Sequence, residues 1–132
     1  MTYYLDSNVI IDLLNGNSIV LANFKNTYIK ASVKIPDIVY YEVLRGFEYI
    51  DQKKQKTAFE FFAQQCGLEF MGLETLRESA RQYANLKKHG ITIDDDDILI
   101  GSLAIERNAI LVTNNTKHFS HLNGIKLENW SN

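Results

Sequence analysis

Apolar residues along this chain alternate between short continuous runs and longer stretches at helical spacing. "TYYL" predicts a short strand that runs into Asp6, and "SNVIIDLLN" then carries helical spacing as far as Gly16. "SIVLANFKNTYI" repeats the helical pattern, and "SVKI" predicts a second strand closed by Pro36, with Asp37 placed to cap the next helix. "IVYYEVLRGFEYI" and "TAFEFFAQQ" are helical, and the charged "DQKKQK" between them fits a hairpin of two helices or one bent helix equally well. "LEFMGL" predicts a third strand, "ETLRESARQYANLKKHG" a helix ended by Gly90, and "DDDDILIGSLA" a buried helix. "AILVTNN" and "GIKLENW" predict a fourth and a fifth strand. Strands separated by helices are the pattern of βαβ units, so the expected fold is an α/β sandwich with a short, mostly parallel sheet of four to five strands flanked by helices.

Composition narrows this. With 132 residues, 45% of them hydrophobic, and a single proline, the chain is expected to form one domain over residues 1–132 with a real core. A formal charge of −2 provides no global basic field, so a nucleic-acid partner would have to be met by a local patch or through bound metal. The one cysteine, Cys66, cannot form an internal disulfide, and no CxxC pair exists. "MTYYLDSNVI" has no basic region ahead of a long apolar stretch, and no apolar run approaches about 18 residues. A soluble, cytoplasmic protein with no membrane contact is expected.

The candidate chemistry lies in the acids. Asp94 to Asp97 stand directly before an apolar helix. A helix N-terminus favours each acid by roughly 0.3–1 kcal/mol, whereas two carboxylates about 4 Å apart repel by roughly 4 kcal/mol at an effective dielectric of about 20. Either most of these side chains splay into water or a cation sits among them. Helical phase separates the members: Asp97 lies above Ile100, Gly101 and Ala104 and should be buried, Asp95 shares a face with Ser102 and Glu106 and should meet water, and Asp94 is the natural N-cap. The phase leaves Asp96 open. Asp6 falls at the carboxyl end of the first strand, where ligands gather in open α/β sheets, although a helix cap explains it as well. Glu42 shares a helix face with Val39 and Gly46, a poor place for a solvated charge unless nearby Arg45 pairs with it.

Taken together, Asp6, Glu42 and Asp97 come from distant parts of the chain, and each sits where an apolar element begins or turns inward. Buried charges need partners, and no lysine or arginine is placed to face the core beside them. Oxygen-only ligands suit Mg²⁺ or Mn²⁺, so the three carboxylates are expected within metal-coordinating reach of one point. Such an ion activates water and clamps a phosphoryl oxygen, as in metal-dependent phosphodiester cleavage. Other features carry less. Cys66 with His89, His118 or His121 could form a nucleophile and base, but nothing places them together. No glycine pattern makes a phosphate loop, and the lysines of "DQKKQK" and "LKKH" read as a solvated face. A phospho-acceptor receiver domain would need a mid-chain strand-end aspartate and a later strand-end lysine, and neither is visible.

"YLDSNVIIDLL", "YYEVLRG" and "GITIDDDDILIGSLAIERNAILVTNNTKHF" followed by "GIKLENW" resemble, essentially end to end, the PIN-domain nucleases, specifically the VapC-type toxins of bacterial toxin–antitoxin pairs. The resemblance implies a PIN-like three-layer sandwich and an endoribonuclease using Mg²⁺ or Mn²⁺, with Asp6, Glu42 and Asp97 as the catalytic and metal-binding acids. At the fourth family position this chain has Asn115 where many relatives have an aspartate; it can hold a water or donate to a phosphate but adds no charge, which leaves a second metal open. His118 departs too, and reads as a surface residue rather than a ligand. The resemblance also implies an RNA substrate, a small antitoxin covering the acidic cleft, and a homodimer. A PIN nuclease of RNA processing, or a catalytically silent RNA-binding module, are the alternatives.

Overall fold

The computed structural model describes residues 1–132 throughout. Five strands, β1 (Thr2–Leu5), β2 (Ser32–Pro36), β3 (Leu68–Glu69), β4 (Ile110–Val112) and β5 (Lys126–Glu128), form one sheet in the order β3-β2-β1-β4-β5. Every neighbouring pair is parallel. Seven helices flank it: α1 (Ser7–Leu14), α2 (Ser18–Tyr28), α3 (Asp37–Tyr49), α4 (Lys53–Cys66), α5 (Leu73–Lys88), α6 (Asp95–Glu106) and α7 (Thr116–Phe119). Right-handed crossovers send α1–α4 to one face and α5–α6 to the other, which makes the three layers.

The order of the strands places the site. The chain leaves β1 for β2 and β3 on one side, then returns through α5 and α6 to β4 on the other side of β1. The crevice between the carboxyl ends of β1 and β4 is therefore the topological switch point of the sheet. Leu5 pairs with Val112 there, and the Asp6 amide donates to the Val112 carbonyl at 2.9 Å.

Strands buried on both faces explain the continuous apolar runs. Tyr4, Leu5, Val33, Ile35, Leu111 and Val112 belong to a core cluster of 25 residues that also takes Val9 and Ile10 from α1, Val39 and Val43 from α3, and Ile100 and Leu103 from α6. α6 is buried around most of its circumference. Its Gly101 lets it approach the chain after α7 so closely that a Cβ would stand 2.2 Å from Leu122 Cδ1.

Boundaries depart from the sequence pattern in four places. The joint between α3 and α4 is a break at Ile50–Gln52 with Asp51 at φ 52°, so the two helices form a hairpin and most of "DQKKQK" becomes the first turn of α4. β3 is only two residues long, because Gly72 already opens α5. α7, a single turn, carries too few residues to display a period. Asp94 occupies the N-cap of α6 as its spacing predicts, but its side chain caps no amide. No helix is long and apolar enough to cross a membrane.

Candidate active site at the sheet switch point

Asp6 ends β1 and begins α1, so a strand-end position and a helix cap coincide in one residue. Its Oδ1 accepts from the Ser7 amide at 2.8 Å as a helix cap, while Oδ2 accepts from the Thr113 hydroxyl at 2.8 Å and from the Asn8 side-chain amide at 3.4 Å. The residue is only 4% exposed. Burial pushes its carboxyl above the usual range, the Thr113 and Ser7 hydrogen bonds pull it back, and the charge of Asp97 raises it again.

Glu42 projects half-buried from α3 toward the same crevice. Loss of solvent, then the neighbouring Asp96 carboxyl and the charges of Asp6 and Asp97, push its carboxyl up to about 7. Pairing with Arg45 does not occur: that guanidinium lies over the Tyr41 ring, 5.1 Å from its centre, and joins no salt bridge. Asp97 opens α6, and its Oδ2 stands 3.0 Å from His118 Nε2 on α7.

Four carboxylates thus gather at the switch point, from β1, α3 and the first turn of α6. Asp97 faces inward as its spacing predicts but is half-buried rather than buried, with 27% of its side chain exposed, because the first turn of α6 borders the open crevice. Asp95 meets water as expected, although Ser102 on the same side is fully buried. Asp96 belongs to the cluster, through Glu42. His118 keeps 39% of its side chain exposed, as expected of a surface residue, and it is the only basic group that contacts an acid of the site. Asn115 is exposed at the rim, its amide donating to Thr113 Oγ1 at 3.1 Å.

Three further residues carry no signal in the sequence pattern. Thr113, fully buried just after β4, links Asp6 to the Asn115 amide. Asn8 accepts from the Asn114 amide at 3.1 Å, and the Asn114 side-chain amide donates to Asp12 at 3.0 Å, tying α1 to the end of β4. Polar residues clustered after a parallel strand are the one available hint, since such runs have no ladder to satisfy them.

The donor set fits a hard divalent cation. The donors are carboxylate oxygens, those of Asp6 and Glu42 shifted toward the neutral acid by burial and by neighbouring carboxylates, and no lysine or arginine forms an ion pair with them. The carboxylates do not, however, form a ready cage: no three His, Cys, Asp or Glu side chains close on one point. The expected convergence falls short: bare like charges repel, and two of the acids turn to other partners instead, Asp6 to Thr113 and Asp97 to His118.

Residues 3–125 match the model of the PIN domain family. The chain belongs to the PIN domain family. Among curated PIN relatives, Ribonuclease VapC2 of Rickettsia felis is 29% identical over 137 aligned positions, covering 98% of each chain. Ribonuclease VapC1 of Methanocaldococcus jannaschii is 29% identical over 126 positions, covering 92% of this chain and 88% of its own. Among solved structures, VapBC2 from Rickettsia felis bound to a DNA fragment from their promoter contains a chain that superposes with a TM-score of 0.92 at 27% identity, covering 98% of this chain and 99% of that one.

Proposed function

We propose that this PIN-domain chain is a Mg²⁺- or Mn²⁺-dependent endoribonuclease and the toxin of a toxin–antitoxin pair. The observation that carries the proposal is the gathering of Asp6, Glu42, Asp96 and Asp97 at the sheet switch point with no lysine or arginine paired to any of them, in a chain similar along its length to Ribonuclease VapC2. Asp6 and Asp97 would hold the ion, and Glu42 would complete the pocket. Once bound, the ion supplies an activated water and a positive clamp on the phosphoryl oxygen. Glu42, half-buried on α3 and facing the crevice, would help orient the attacking water. Thr113 and Ser7 fix the Asp6 carboxylate, His118 orients Asp97, and Asn115 offers an amide to water or phosphate at the rim. The partner would be a small antitoxin with a segment that covers the acidic cleft.

The test incubates purified protein with structured RNAs, transfer and ribosomal RNA included. Cleavage should stop with EDTA, return with Mn²⁺, and be lost in Asp97→Asn. Added Mn²⁺ should also raise the melting temperature of the wild type, by an amount equivalent to about 2.7 kcal/mol at a hundred times Kd, and that of Asp97→Asn much less. Cleavage that survives both chelation and the substitution would refute the proposal.

A further inference from the structure

The acidic crevice poses a problem for its own substrate: a polyanion must cross a cluster of carboxylates. The approach over α3 is built differently. The chain has four arginines, and three of them are engaged, Arg77 with Glu74, Arg81 with Glu78, and Arg107 with both Glu69 and Glu106. Arg45 alone has no carboxylate partner, is exposed, and holds its guanidinium carbon 5.1 Å from the centre of the Tyr41 ring. Tyr41, Arg45 and Tyr49 recur every fourth residue and form a stripe along α3. Tyr41 is 59% and Tyr49 90% exposed, an unusual amount of aromatic surface to leave in solvent. Between them opens a hollow of about 440 Å³ lined by Tyr41, Leu44, Arg45, Glu48 and Tyr49. The charge of Glu48 is already matched by Lys56 at 2.8 Å, which leaves the hollow cationic through Arg45.

The stripe is continuous with the site. Arg45 is one helical turn beyond Glu42 and near enough to feel the charges of Glu42 and Asp96. Tyr49 stands about 10 Å further along the axis than Glu42, at roughly 1.5 Å per residue. Gly46, between them, leaves open space above the helix.

We infer that Tyr41, Arg45 and Tyr49 form a subsite for an unpaired nucleotide of the RNA, with the base stacked on the exposed tyrosine rings and its phosphate paired with Arg45. Exposed aromatic rings and a guanidinium without a carboxylate partner are the groups that recognise single-stranded nucleic acid, because every base has a π-face and every linkage a phosphate. The subsite would hold the strand beside the carboxylates and restrict cutting to unpaired segments. This inference rests on the ribonuclease reading.

The experiment measures fluorescence anisotropy of a short fluorescein-labelled single-stranded RNA of mixed sequence, and of the same strand in a duplex, with Mg²⁺, on the Asp97→Asn protein. Tyr49→Ala in that background should weaken single-strand binding by roughly fivefold to a hundredfold, and Tyr49→Phe should retain it, since stacking needs the ring and not the hydroxyl. Arg45→Gln should weaken binding and make the slope of log K against log salt shallower by about 0.7, the signature of one lost phosphate contact. The duplex should bind more weakly and respond little to Tyr49→Ala. If the parent binds RNA and all three variants match it, or the salt slope does not change, the subsite is refuted and the stripe serves another occupant, such as a partner protein. If the parent binds no RNA while the wild type with Mg²⁺ cleaves it, the stripe does not hold the strand and the subsite is refuted; if the wild type cleaves none either, the ribonuclease reading fails with it.

Discussion

Replacing Thr113 with valine isolates the contact that holds the most buried acid of the site. Valine keeps the shape and removes one hydroxyl, which donates to Asp6 Oδ2 at 2.8 Å and accepts from the Asn115 amide at 3.1 Å. Both Thr113 and Asp6 are buried, so water cannot replace the lost donor. A hydrogen bond to a charged group contributes about 1.5–3 kcal/mol, and for a domain of this size that corresponds to a melting temperature lower by about 6–12 °C. The loss should depend on pH. The carboxyl of Asp6 already titrates above its ordinary range, so in the metal-free protein it favours folding at acid pH and opposes it as pH rises through its folded value. The Thr113 hydroxyl pulls that value down, and removing it pushes the value up. The gap between wild type and Thr113→Val should therefore be full above the folded value of Asp6, where the carboxyl is charged, and narrow toward acid, where both proteins carry it protonated. The assay is urea unfolding in EDTA across that range, followed by Mn²⁺ titration, in which the variant should bind more weakly because its ligand holds a proton more tightly. Equal stability at every pH, or a gap that does not narrow in acid, would mean that Thr113 does not stabilise the Asp6 carboxylate.

Glu42, raised to about 7, should make the metal-free protein lose stability as pH climbs from about 5 to about 8; Glu42→Gln should flatten that slope without removing it, since Asp6 is shifted in the same direction, and urea midpoints in EDTA decide this. Gly101→Ala drives a Cβ to 2.2 Å from Leu122 Cδ1, and overpacking of about 1–3 kcal/mol should outweigh a helix-propensity gain of about 1 kcal/mol, for a net loss near 1 kcal/mol by chemical denaturation. Cys66 is buried and its thiol is pushed up to about 11 by that burial, so it has no thiolate at neutral pH, and Cys66→Ala should cleave RNA as the wild type does.

Periodicity and spacing alone determined a great deal of this protein. The alternation of strand and helix, a sheet of four to five strands, the N-cap position of Asp94 and the inward phase of Asp97 are local consequences of side-chain pattern, and local pattern survives folding. Asp6 was visible because a carboxylate at the end of an apolar strand has few uses. Two of the site's members could not be read this way. Asp96 and His118 enter through contacts with residues far along the chain, Glu42 on α3 and Asp97 on α6, and no period links residues brought together only by the crossover from β3 back to β4. The same crossover puts Thr113 behind Asp6 across 107 positions of sequence. The degree of closure was also beyond the pattern, because mutual repulsion and available hydrogen-bond partners, rather than placement alone, set how near bare carboxylates approach one another. What the tertiary structure decided was which charges share a crevice, and that depends on strand order, a property of the whole chain and of no segment in it.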